Sequence, residues 1–589
     1  MFSYPFDSSS IMLKKRSLKR ELLKKEGLIE KRIAILSGTT IGEVKNILEL
    51  FLLDSGIKPE FFEGEYGRYY EDLVFENTEL REFEPDIIYI HTGIHNISNF
   101  PVAGSDEQTA KGLFLAEWNR FEEAISSAVA YGCPVVANNF EYPAVRVLGN
   151  RENYDVSGKV RFINELNLKL ADFARLNEGL FINDINYLSA LYGLEKWSDP
   201  TYYNSYKYGL NPDAIPLLCH SVSSIIKSIF GRNKKVLLLD LDNTLWGGVI
   251  GDDGVDGIEL GIENPSGIAY SDLQRYAKEL KGIGVLLGVV SKNEEGTAKS
   301  GFDHPSAILS ADDFSVFIAN WEDKASNIKR AAEILNLGSD SFVFADDNPA
   351  ERELVEHSGL GVAVAKYTVP ERFAENISRS GYFEATSMSE EDLIRAEMYS
   401  QNAMRESEKS RFSDYGEYLS SLEMKAGVGT FAERKQKRIT QLINKTNQFN
   451  PTTRRYTEDE ISEIEVDENY IKISARLEDK FGDNGIVCAL IAKCRDKTAT
   501  IELFVMSCRV FKRDLEKAVF DKLVETAVSK GIEAIEASYI RTPKNGFVET
   551  LYPDLGFLLF DESGEEKKYR YEIEKDYLKK NKHIEVMDE

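Results

Sequence analysis

Cysteine is scarce in this sequence. Five cysteines are scattered over 589 residues, and no two of them form a Cys-x-x-Cys pair. Small secreted domains that depend on disulfide bonds carry a denser and more regular set. An odd number of unpatterned thiols instead fits a reducing compartment. We therefore expect no disulfide framework and a cytoplasmic location.

Long apolar runs are also missing. No stretch approaches the roughly 20 apolar residues that a helix needs to cross a bilayer. The segment from Ile11 to Arg32 is basic and helical in pattern, but it lacks the apolar centre of a signal peptide. It is predicted to be an amphipathic helix that packs on its own chain. No membrane association is expected.

Basic residues are fewer than acidic residues. The chain has 72 Lys and Arg against 98 Asp and Glu, which gives a formal net charge of −26. A sequence-independent grip on nucleic acid requires a basic surface, so nucleic acid is not expected as a partner. Small anionic substrates stay compatible with this charge, because a local lysine and Mg²⁺ can dominate the potential inside a crevice.

The stretch 235–246, KVLLLDLDNTLW, carries the clearest chemical pattern. An apolar strand ends in Asp240 and Asp242, followed by the hydroxyl of Thr244. Such a strand does not tolerate Asp unless the carboxylate has a partner, a metal or a chemical role. The pattern suits Mg²⁺-dependent phosphoryl transfer, in which Asp240 attacks phosphorus. Asp242 would give a proton to the leaving group and later activate water, while loop amides hold the phosphoryl oxygens.

Two further apolar strands, at 285–290 and 342–345, also end in polar residues. These are Ser291, Lys292 and Asn293 after the first strand, and Asp346 and Asp347 after the second. Such strands are typical of a parallel sheet covered on both faces, and α/β sheets bind ligands at the carboxyl ends of their strands. Lys324, at the start of a predicted helix, can reach the same crevice and balance its negative charge.

The order acid pair, hydroxyl, lysine, acid pair resembles the four motifs of the haloacid-dehalogenase (HAD) superfamily. The resemblance implies that Asp240 is the nucleophile and that Asp242 is the general acid and base. The residues that it places at a Mg²⁺ ion are Asp240, Asp242 through its carbonyl group, Asp346 and Asp347. The residues that it places at the phosphoryl oxygens are Thr244, Ser291, Asn293 and Lys324.

Further segments are similar to the FkbH-like branch of the HAD-IIIC phosphatases. They are 242–254, His304-Pro305, Asn320-Trp321, 344–349, Glu351-Arg352, 445–450 and 481–485. Members of that family are associated with moving a glyceryl group from 1,3-bisphosphoglycerate to an acyl carrier protein, with loss of phosphate. Related proteins occur with surface-polysaccharide genes. The resemblance thus implies a phosphorylated small molecule and an acyl carrier protein as partners.

The sequence departs from the acyl-transferring members in its thiols. A cysteine is expected just before the Ser-Lys-Asn motif, where this chain has Val290, and position 241 is Leu. Either another domain supplies the thiol, with Cys508 as the best candidate, or the acyl group passes directly to an acceptor. The third alternative is that the protein only removes phosphate.

Three functions therefore remain open. The first is a glyceryl transferase and phosphatase that loads a carrier protein. The second is a phosphatase or phosphotransferase that acts on a small metabolite or a surface-glycan precursor. The third is a non-catalytic assembly protein. The complete set of four aspartates argues against the third, because an inactive scaffold has no need to hold repelling carboxylates together.

Alternating strands and helices also precede the HAD motifs, which indicates a second doubly wound sheet. This region resembles the SGNH hydrolases, with Ser37 at the position of the nucleophile. The Gly-x-Asn-Asp block of that family reads Gly-Ile-His95-Asn96 here, and its late Asp-x-x-His is missing. A serine without a general base is a poor nucleophile.

Two interpretations of this region follow. His91 or His95 would have to replace the missing base if the site works as a hydrolase or acyltransferase. Otherwise the region is a degenerate scaffold for a partner or substrate, and Ser37 caps the next helix.

The C-terminal region resembles the GNAT-type acyltransferases, an α+β fold. The turn that would cradle a pantetheine pyrophosphate runs from Arg509 to Asp514. Lys512 and Asp514 stand where that pattern has glycine, and Asp514 repels phosphate. The candidate acyl or carrier-protein site consists of Cys508, Arg509, Lys512 and Arg513. The alternative is a plain solvated turn.

The length predicts several domains, and the expected fold class is multidomain α/β. The expected divisions are a basic helix (1–30), an SGNH-like domain (31–230), a HAD domain (231–384), a helical connector (385–435), a GNAT-like domain (436–575) and a polar tail (576–589). A helix start is predicted at 387–391.

Overall fold

Three β-sheets follow one another along the chain. The computed structural model describes residues 2–75, 77–387, 401, 405, 412, 414–446, 448–542 and 544–588. The side chains of Glu433, Arg434, Cys508 and Asp588 lie outside that description. The chain divides into two units, one with residues up to 233 together with 384–386, and one with 234–383 and the residues from 387 onward.

The first unit is built on a parallel sheet. Its strands are β1 (Ile29–Ser37), β2 (Ile57–Glu63), β3 (Ile87–His91), β4 (Val135–Asn138) and β5 (Leu180–Asn183). Its helices are α1 (Ser8–Leu22), α2 (Gly42–Asp54), α3 (Tyr69–Val74), α4 (Thr78–Phe83), α5 (Glu107–Val129), α6 (Lys159–Leu176), α7 (Ile185–Tyr192), α8 (Leu194–Trp197), α9 (Pro200–Tyr206) and α10 (Ile215–Ile229). The strand order is β2-β1-β3-β4-β5.

Alternate residues of β1 face two different cores. Ile33 and Ile35 pack with residues of α1, α2 and α10, whereas Ala34 and Leu36 pack with residues of α5 and α6. A strand sends successive side chains to opposite faces, so a strand buried on both faces is apolar throughout. The first sheet is therefore doubly wound.

The second unit begins with another parallel sheet. Its strands are β6 (Val236–Leu239), β7 (Leu286–Ser291), β8 (Val316–Ala319), β9 (Phe342–Ala345) and β10 (Ala363–Val364). The accompanying helices are α11 (Ile250–Gly257), α12 (Pro265–Gly282), α13 (Glu295–Ser300), α14 (Lys324–Leu335), α15 (Pro349–His357) and α16 (Pro370–Arg379). The strand order is β10-β9-β6-β7-β8. Leu237 and Leu239 of β6 face α12 and α16, and Val236 and Leu238 face α14 and α15.

The third sheet is mixed. Its strands are β11 (Met424–Gly429), β12 (Tyr470–Asp479), β13 (Gly482–Arg495), β14 (Thr498–Met506), β15 (Ala534–Ile540), β16 (Leu558–Ser563), β17 (Glu566–Glu572) and β18 (Ile584–Asp588). The helices are α17 (Tyr415–Ser421), α18 (Glu433–Lys445), α19 (Glu458–Val466), α20 (Leu515–Ser529) and α21 (Leu551–Asp554). The order is β16-β17-β15-β14-β13-β12-β11-β18, with parallel pairs at β14–β15 and β11–β18. The multidomain α/β fold class is confirmed.

The structure differs from the expected divisions at two places. Strand β11 lies inside the segment 385–435, where a helical connector is expected, and β18 lies inside the polar tail. The two strands pair with each other, in register from Met424 opposite Ile584. Each segment is short and weakly patterned alone, so the pairing supplies what local sequence does not show. The predicted helix start at 387–391 falls, after Ser387, outside the described residues.

No helix in the described part of the chain combines the length and the apolar character that a bilayer crossing requires.

Candidate active site

Three strand ends of the second sheet meet at one edge. Strand β6 lies between β7 and β9, and all three run parallel. Asp240 follows β6, Ser291 ends β7, and Asp346 follows β9. The polar residues that the sequence places after separate strands are therefore neighbours in space.

Lys324 reaches into the centre of this edge. Asp323 caps the start of α14, which places Lys324 as the first residue of the helix. Its side chain is 2% exposed, and its Nζ lies 2.6 Å from Asp240 Oδ1 and 3.3 Å from Asp346 Oδ2. The same Nζ donates to the carbonyl oxygen of Val290 at 2.6 Å. A buried ammonium group thus bridges the two carboxylates.

The two carboxylate oxygens of Asp346 are held differently. Its Oδ1 accepts the backbone N–H of Asn348 at 2.8 Å, while its buried Oδ2 lies 3.3 Å from the Lys324 ammonium and accepts no hydrogen bond from the described residues. Burial, and then the nearby Asp240 carboxylate, raise the pKa of Asp346 to about 7, and the same two causes raise the pKa of Asp347. Crowded carboxylates in a low-dielectric site are costly unless a cation joins them.

A divalent cation fits this site. Carboxylate oxygens of Asp240, Asp346 and Asp347 lie within 4.8 Å of one another, the one such group of three in the described residues. Hard cations such as Mg²⁺ prefer oxygen ligands of this kind. The Oδ2 of Asp346, which accepts no hydrogen bond from the described residues, and the raised pKa values of Asp346 and Asp347 fit a site that binds such a cation.

Asp242 is fixed by three donors. Its Oδ1 accepts the indole N–H of Trp246 and the backbone N–H of Ile250, each at 3.0 Å. Its Oδ2 accepts the side-chain amide of Asn293 at 2.8 Å. Trp246 is fully buried, and sequence reasoning missed its part in the site. A buried indole N–H usually needs a partner, and the spacing of four residues from Asp242 was the available signal.

The hydroxyls predicted to bind phosphate lie at the same edge. Thr244 Oγ1 accepts the N–H of Asp347 at 3.1 Å and lies 3.4 Å from its Oδ1, so it links the first and last acidic motifs. Ser291 is buried, with its Oγ 3.5 Å from Asn293 Nδ2. The structure therefore brings together all of the residues that the sequence assigned to phosphoryl chemistry.

The first sheet has a different arrangement at Ser37. The buried Ser37 hydroxyl donates to the carbonyl oxygen of Thr39 at 2.6 Å and accepts the N–H of Thr39 at 3.0 Å. It does not cap the following helix, because the N-cap of α2 is Ile41. Asn96 Nδ2 donates to the carbonyl oxygen of Gly38 at 3.0 Å. These polar groups close a turn rather than face an open site.

Neither histidine serves Ser37 as a base in the described residues. The ring of His91 is buried, with Nδ1 2.9 Å from the hydroxyl of Tyr89, and burial lowers its pKa to about 4. The ring of His95 stacks on Tyr203 with centroids 3.6 Å apart. The geometry favours the scaffold interpretation of this domain over the hydrolase interpretation.

The candidate carrier site in the third sheet is only partly open. Lys512 and Asp514 have φ of 61° and 64°, the left-handed conformation that favours glycine. Arg513 is buried and pairs with Asp479 at 3.0 Å, and burial lowers its pKa to about 10. Arg509 is also buried. The side chain of Cys508 lies outside the described residues.

Comparisons with known proteins identify a matching family model and similar solved structures. The family model described as "FkbH, N-terminal domain" matches residues 32–227. The chain is similar to the N-terminal part of the protein BF1531 from Bacteroides fragilis, which contains a phosphatase domain and was crystallised with Mg. The identity is 30% and the TM-score 0.58, over 63% of this chain and 99% of that chain.

Other similar structures each match about a quarter of the chain. One is the ribosomal-protein-S18-alanine N-acetyltransferase from Escherichia coli, with 12% identity, 26% of this chain, 99% of that chain and a TM-score of 0.21. Another is Ard1 from Thermoplasma volcanium, with 13% identity, 26% of this chain, 99% of that chain and a TM-score of 0.21. A search of curated protein sequences gave no match. Because the relative from Bacteroides is 30% identical and covered over 99% of its length, the chain belongs to the FkbH-like family of HAD phosphatases.

Proposed function

We propose that this protein is a Mg²⁺-dependent enzyme that takes a phosphoryl group onto Asp240 and releases it as phosphate. One observation carries the proposal. The buried Lys324 ammonium bridges Asp240 and Asp346, and carboxylate oxygens of Asp240, Asp346 and Asp347 lie within 4.8 Å of one another. A purely structural ion pair has no reason to gather further carboxylates beside it.

The metal would be held by Asp240, Asp346 and Asp347, with the carbonyl group of Asp242. Three neighbouring carboxylates, two of which pair with Lys324, leave an excess of negative charge that Mg²⁺ would neutralise. The relative from Bacteroides fragilis, whose structure contains Mg, supports the same ion. When bound, Mg²⁺ supplies Lewis-acid stabilisation of the phosphoryl oxygens.

The first half-reaction moves the phosphoryl group to the protein. A carboxylate oxygen of Asp240 forms a bond to phosphorus as the bond to the leaving oxygen breaks. Asp242, held in place by Trp246, Ile250 and Asn293, gives its proton to the leaving oxygen. Lys324 and Ser291 stabilise the negative charge of the transferred group.

The second half-reaction returns the site to its starting state. Asp242 accepts a proton from water while the water oxygen attacks phosphorus. The bond between phosphorus and Asp240 breaks, and inorganic phosphate leaves. Asp242 is then protonated and Asp240 is again a carboxylate, so no further reactant is needed.

A second candidate function is favoured by the family. The FkbH-like resemblance supports a glyceryl acyl phosphate as substrate and an acyl carrier protein as acceptor. In that reaction the carrier thiolate attacks the acyl carbon, and the bond from that carbon to the phosphate oxygen breaks. The residues around Lys324 then stabilise the departing phosphate.

Four of the five thiols of the chain are poor candidates to carry the acyl group in this second reaction. Burial raises the pKa of Cys133 to about 12, and burial also raises the pKa values of Cys219, Cys488 and Cys494. A thiol becomes a nucleophile when its pKa is lowered, so none of these four is suited to carry an acyl group. The acyl group is therefore proposed to pass either to Cys508, whose side chain lies outside the described residues, or directly to the thiol of the carrier protein.

One experiment separates the two functions. The purified chain is mixed with Mg²⁺, 1,3-bisphosphoglycerate and a pantetheinylated carrier protein, and phosphate release and carrier mass are followed together. Asp240→Asn is the control, and Cys508→Ser tests the thioester route. Phosphate release that depends on Asp240, without an adduct on the carrier, supports the phosphatase.

A glyceryl adduct on the carrier supports the transferase, and Asp240→Asn should weaken it because Asp240 is a proposed ligand of Mg²⁺. If neither signal appears with this substrate, a panel of phosphorylated metabolites follows. Failure of the whole panel in the presence of Mg²⁺ contradicts the proposed chemistry.

A further inference from the structure

Arg352 contacts the backbone of the acidic loop, which consists of Asp346 and Asp347. It lies in the first half of α15, the helix that follows directly on the pair Asp346-Asp347. Its Nη1 donates to the carbonyl oxygens of Asp346 at 2.7 Å and Asp347 at 2.6 Å. One nitrogen thus donates hydrogen bonds to two successive carbonyl groups, those of the two residues whose carboxylates lie at the cation site.

The guanidinium is itself held in place. Its carbon lies 5.7 Å from the centre of the Tyr367 ring, and that ring packs edge-on against the buried Phe373 with centroids 4.9 Å apart. A planar guanidinium presents its hydrogens in a fixed fork, unlike the ammonium of lysine. Arg352 is therefore a rigid support for two consecutive peptide planes.

From this contact we propose that Arg352 is a positioning residue for the divalent cation. The inference rests on the proposed function, because it assumes that Asp346 and Asp347 belong to a Mg²⁺ site. Fixing the two carbonyl groups fixes the planes on both sides of Asp347, and hence the direction in which the carboxylates of Asp346 and Asp347 leave the backbone. Residues that orient metal ligands in this way tune metal affinity without touching the metal.

The chain contains a matched control. Arg455, which lies between α18 and α19, donates through one Nη1 to the carbonyl oxygens of Ile443 and Thr446, the latter at 2.7 Å. It makes the same kind of bridge between two carbonyl groups, but no acidic cluster lies on the described loop that it supports. A general structural cost of losing such a bridge should appear at both arginines, whereas an effect on the cation should appear only at Arg352.

The test measures Mg²⁺ binding to the full chain without substrate, by calorimetric titration, for Arg352→Gln, Arg352→Lys and Arg455→Gln. Binding of Mn²⁺ followed by electron paramagnetic resonance is the second probe, and thermal unfolding in EDTA monitors the fold. Arg352→Gln should weaken binding by about 10- to 100-fold. Arg352→Lys should recover part of the affinity, and Arg455→Gln should leave it within about twofold of the unaltered chain.

The outcomes are distinguishable. If the unaltered chain binds Mg²⁺ and folded Arg352→Gln binds it equally well, this inference alone is overturned. It is also overturned if Arg455→Gln weakens binding as much as Arg352→Gln does. If Arg352→Gln does not fold, Arg352→Lys decides, and an unchanged affinity there overturns the inference. If the unaltered chain does not bind Mg²⁺, the proposed function fails as well.

Discussion

The two parallel sheets have similar architecture and opposite chemistry at their carboxyl ends. Each has five strands and helices on both faces, and each places polar residues where its central strands end. In the first sheet, Ser37 bonds to the backbone of its own turn, and Asn96 donates to the carbonyl oxygen of Gly38 in that turn. In the second, Asp240 and Asp346 are crowded around Lys324.

The difference lies in how the polar groups are satisfied. Neutral side chains at a buried strand end can satisfy one another by hydrogen bonds, and the result is a rigid scaffold. Three carboxylates cannot do so, and they remain costly until a lysine and a cation join them. Polar residues at strand ends therefore indicate a functional site only when other groups of the protein do not neutralise their charge.

The largest expected effect is at the nucleophile. Asp240→Asn should lower phosphate release by about 10³-fold or more, because the amide cannot attack phosphorus. Ser37→Ala, the equivalent change at the first sheet, should leave the same rate within about twofold. Steady-state phosphate release measures both variants. A strong loss with Ser37→Ala would break the comparison.

Lys324→Met should lower kcat/KM by about 10²- to 10³-fold, the usual cost of removing one preorganised charge from a transition state. The side chain keeps its length and apolar stem, but Asp240 and Asp346 lose their buried partner, so thermal unfolding has to show that the variant is folded. Lys299→Met is the matched control, because Lys299 makes an exposed ion pair with Glu295. Equal effects of the two variants on kcat/KM would argue against a role for Lys324 at the phosphoryl group.

The first sheet has a buried carboxyl group of its own. Burial raises the pKa of Glu141 to about 7 from 4.5, and its Oε2 accepts the N–H of Ile94 at 3.1 Å. Since the folded state binds this proton more tightly than the unfolded state, stability should fall as pH rises from 4.5 through 7. The side chain of the Glu141→Gln variant does not titrate. The free energy of unfolding of this variant, relative to the unaltered chain, should therefore increase between pH 5 and pH 8, by at most about 3 kcal/mol.

Urea unfolding at the two pH values, followed by hydrogen exchange of peptides from the first unit, measures this difference. An equal stability difference between the variant and the unaltered chain at pH 5 and pH 8 would show that Glu141 stays ionised in the folded protein.

The smallest expected effect concerns two threonines. The buried Oγ1 of Thr39 has no hydrogen-bond partner among the described residues, so Thr39→Val should stabilise the first unit by about 1 kcal/mol. Thr244→Val removes the acceptor for the N–H of Asp347 and should destabilise the second sheet by a similar amount. Urea midpoints measure both, and a shift of the same sign in the two variants would contradict the comparison.

The sequence predicted the second sheet and its residues well because the signals there are local. An apolar strand that ends in Asp240 and Asp242 is visible without any tertiary contact, and so is a lysine that follows a helix cap. The signals failed where structure depends on distant pairing. Strands β11 and β18 are separated by more than 150 residues and stabilise each other, so neither is evident from its own segment.

The sequence by itself determined the chemistry that is available: four aspartates, a lysine and two hydroxyls at the ends of apolar strands, in a fixed order. Only the tertiary structure decided which of these groups are free to act. It engages the Ser37 hydroxyl in a hydrogen bond within its own turn and brings the Trp246 indole within hydrogen-bond distance of Asp242. It also places Arg352 against the backbone of the acidic loop. Residue types and their order are local properties, whereas a hydrogen bond or an unsatisfied carboxylate depends on which distant groups the fold brings within about 3 Å.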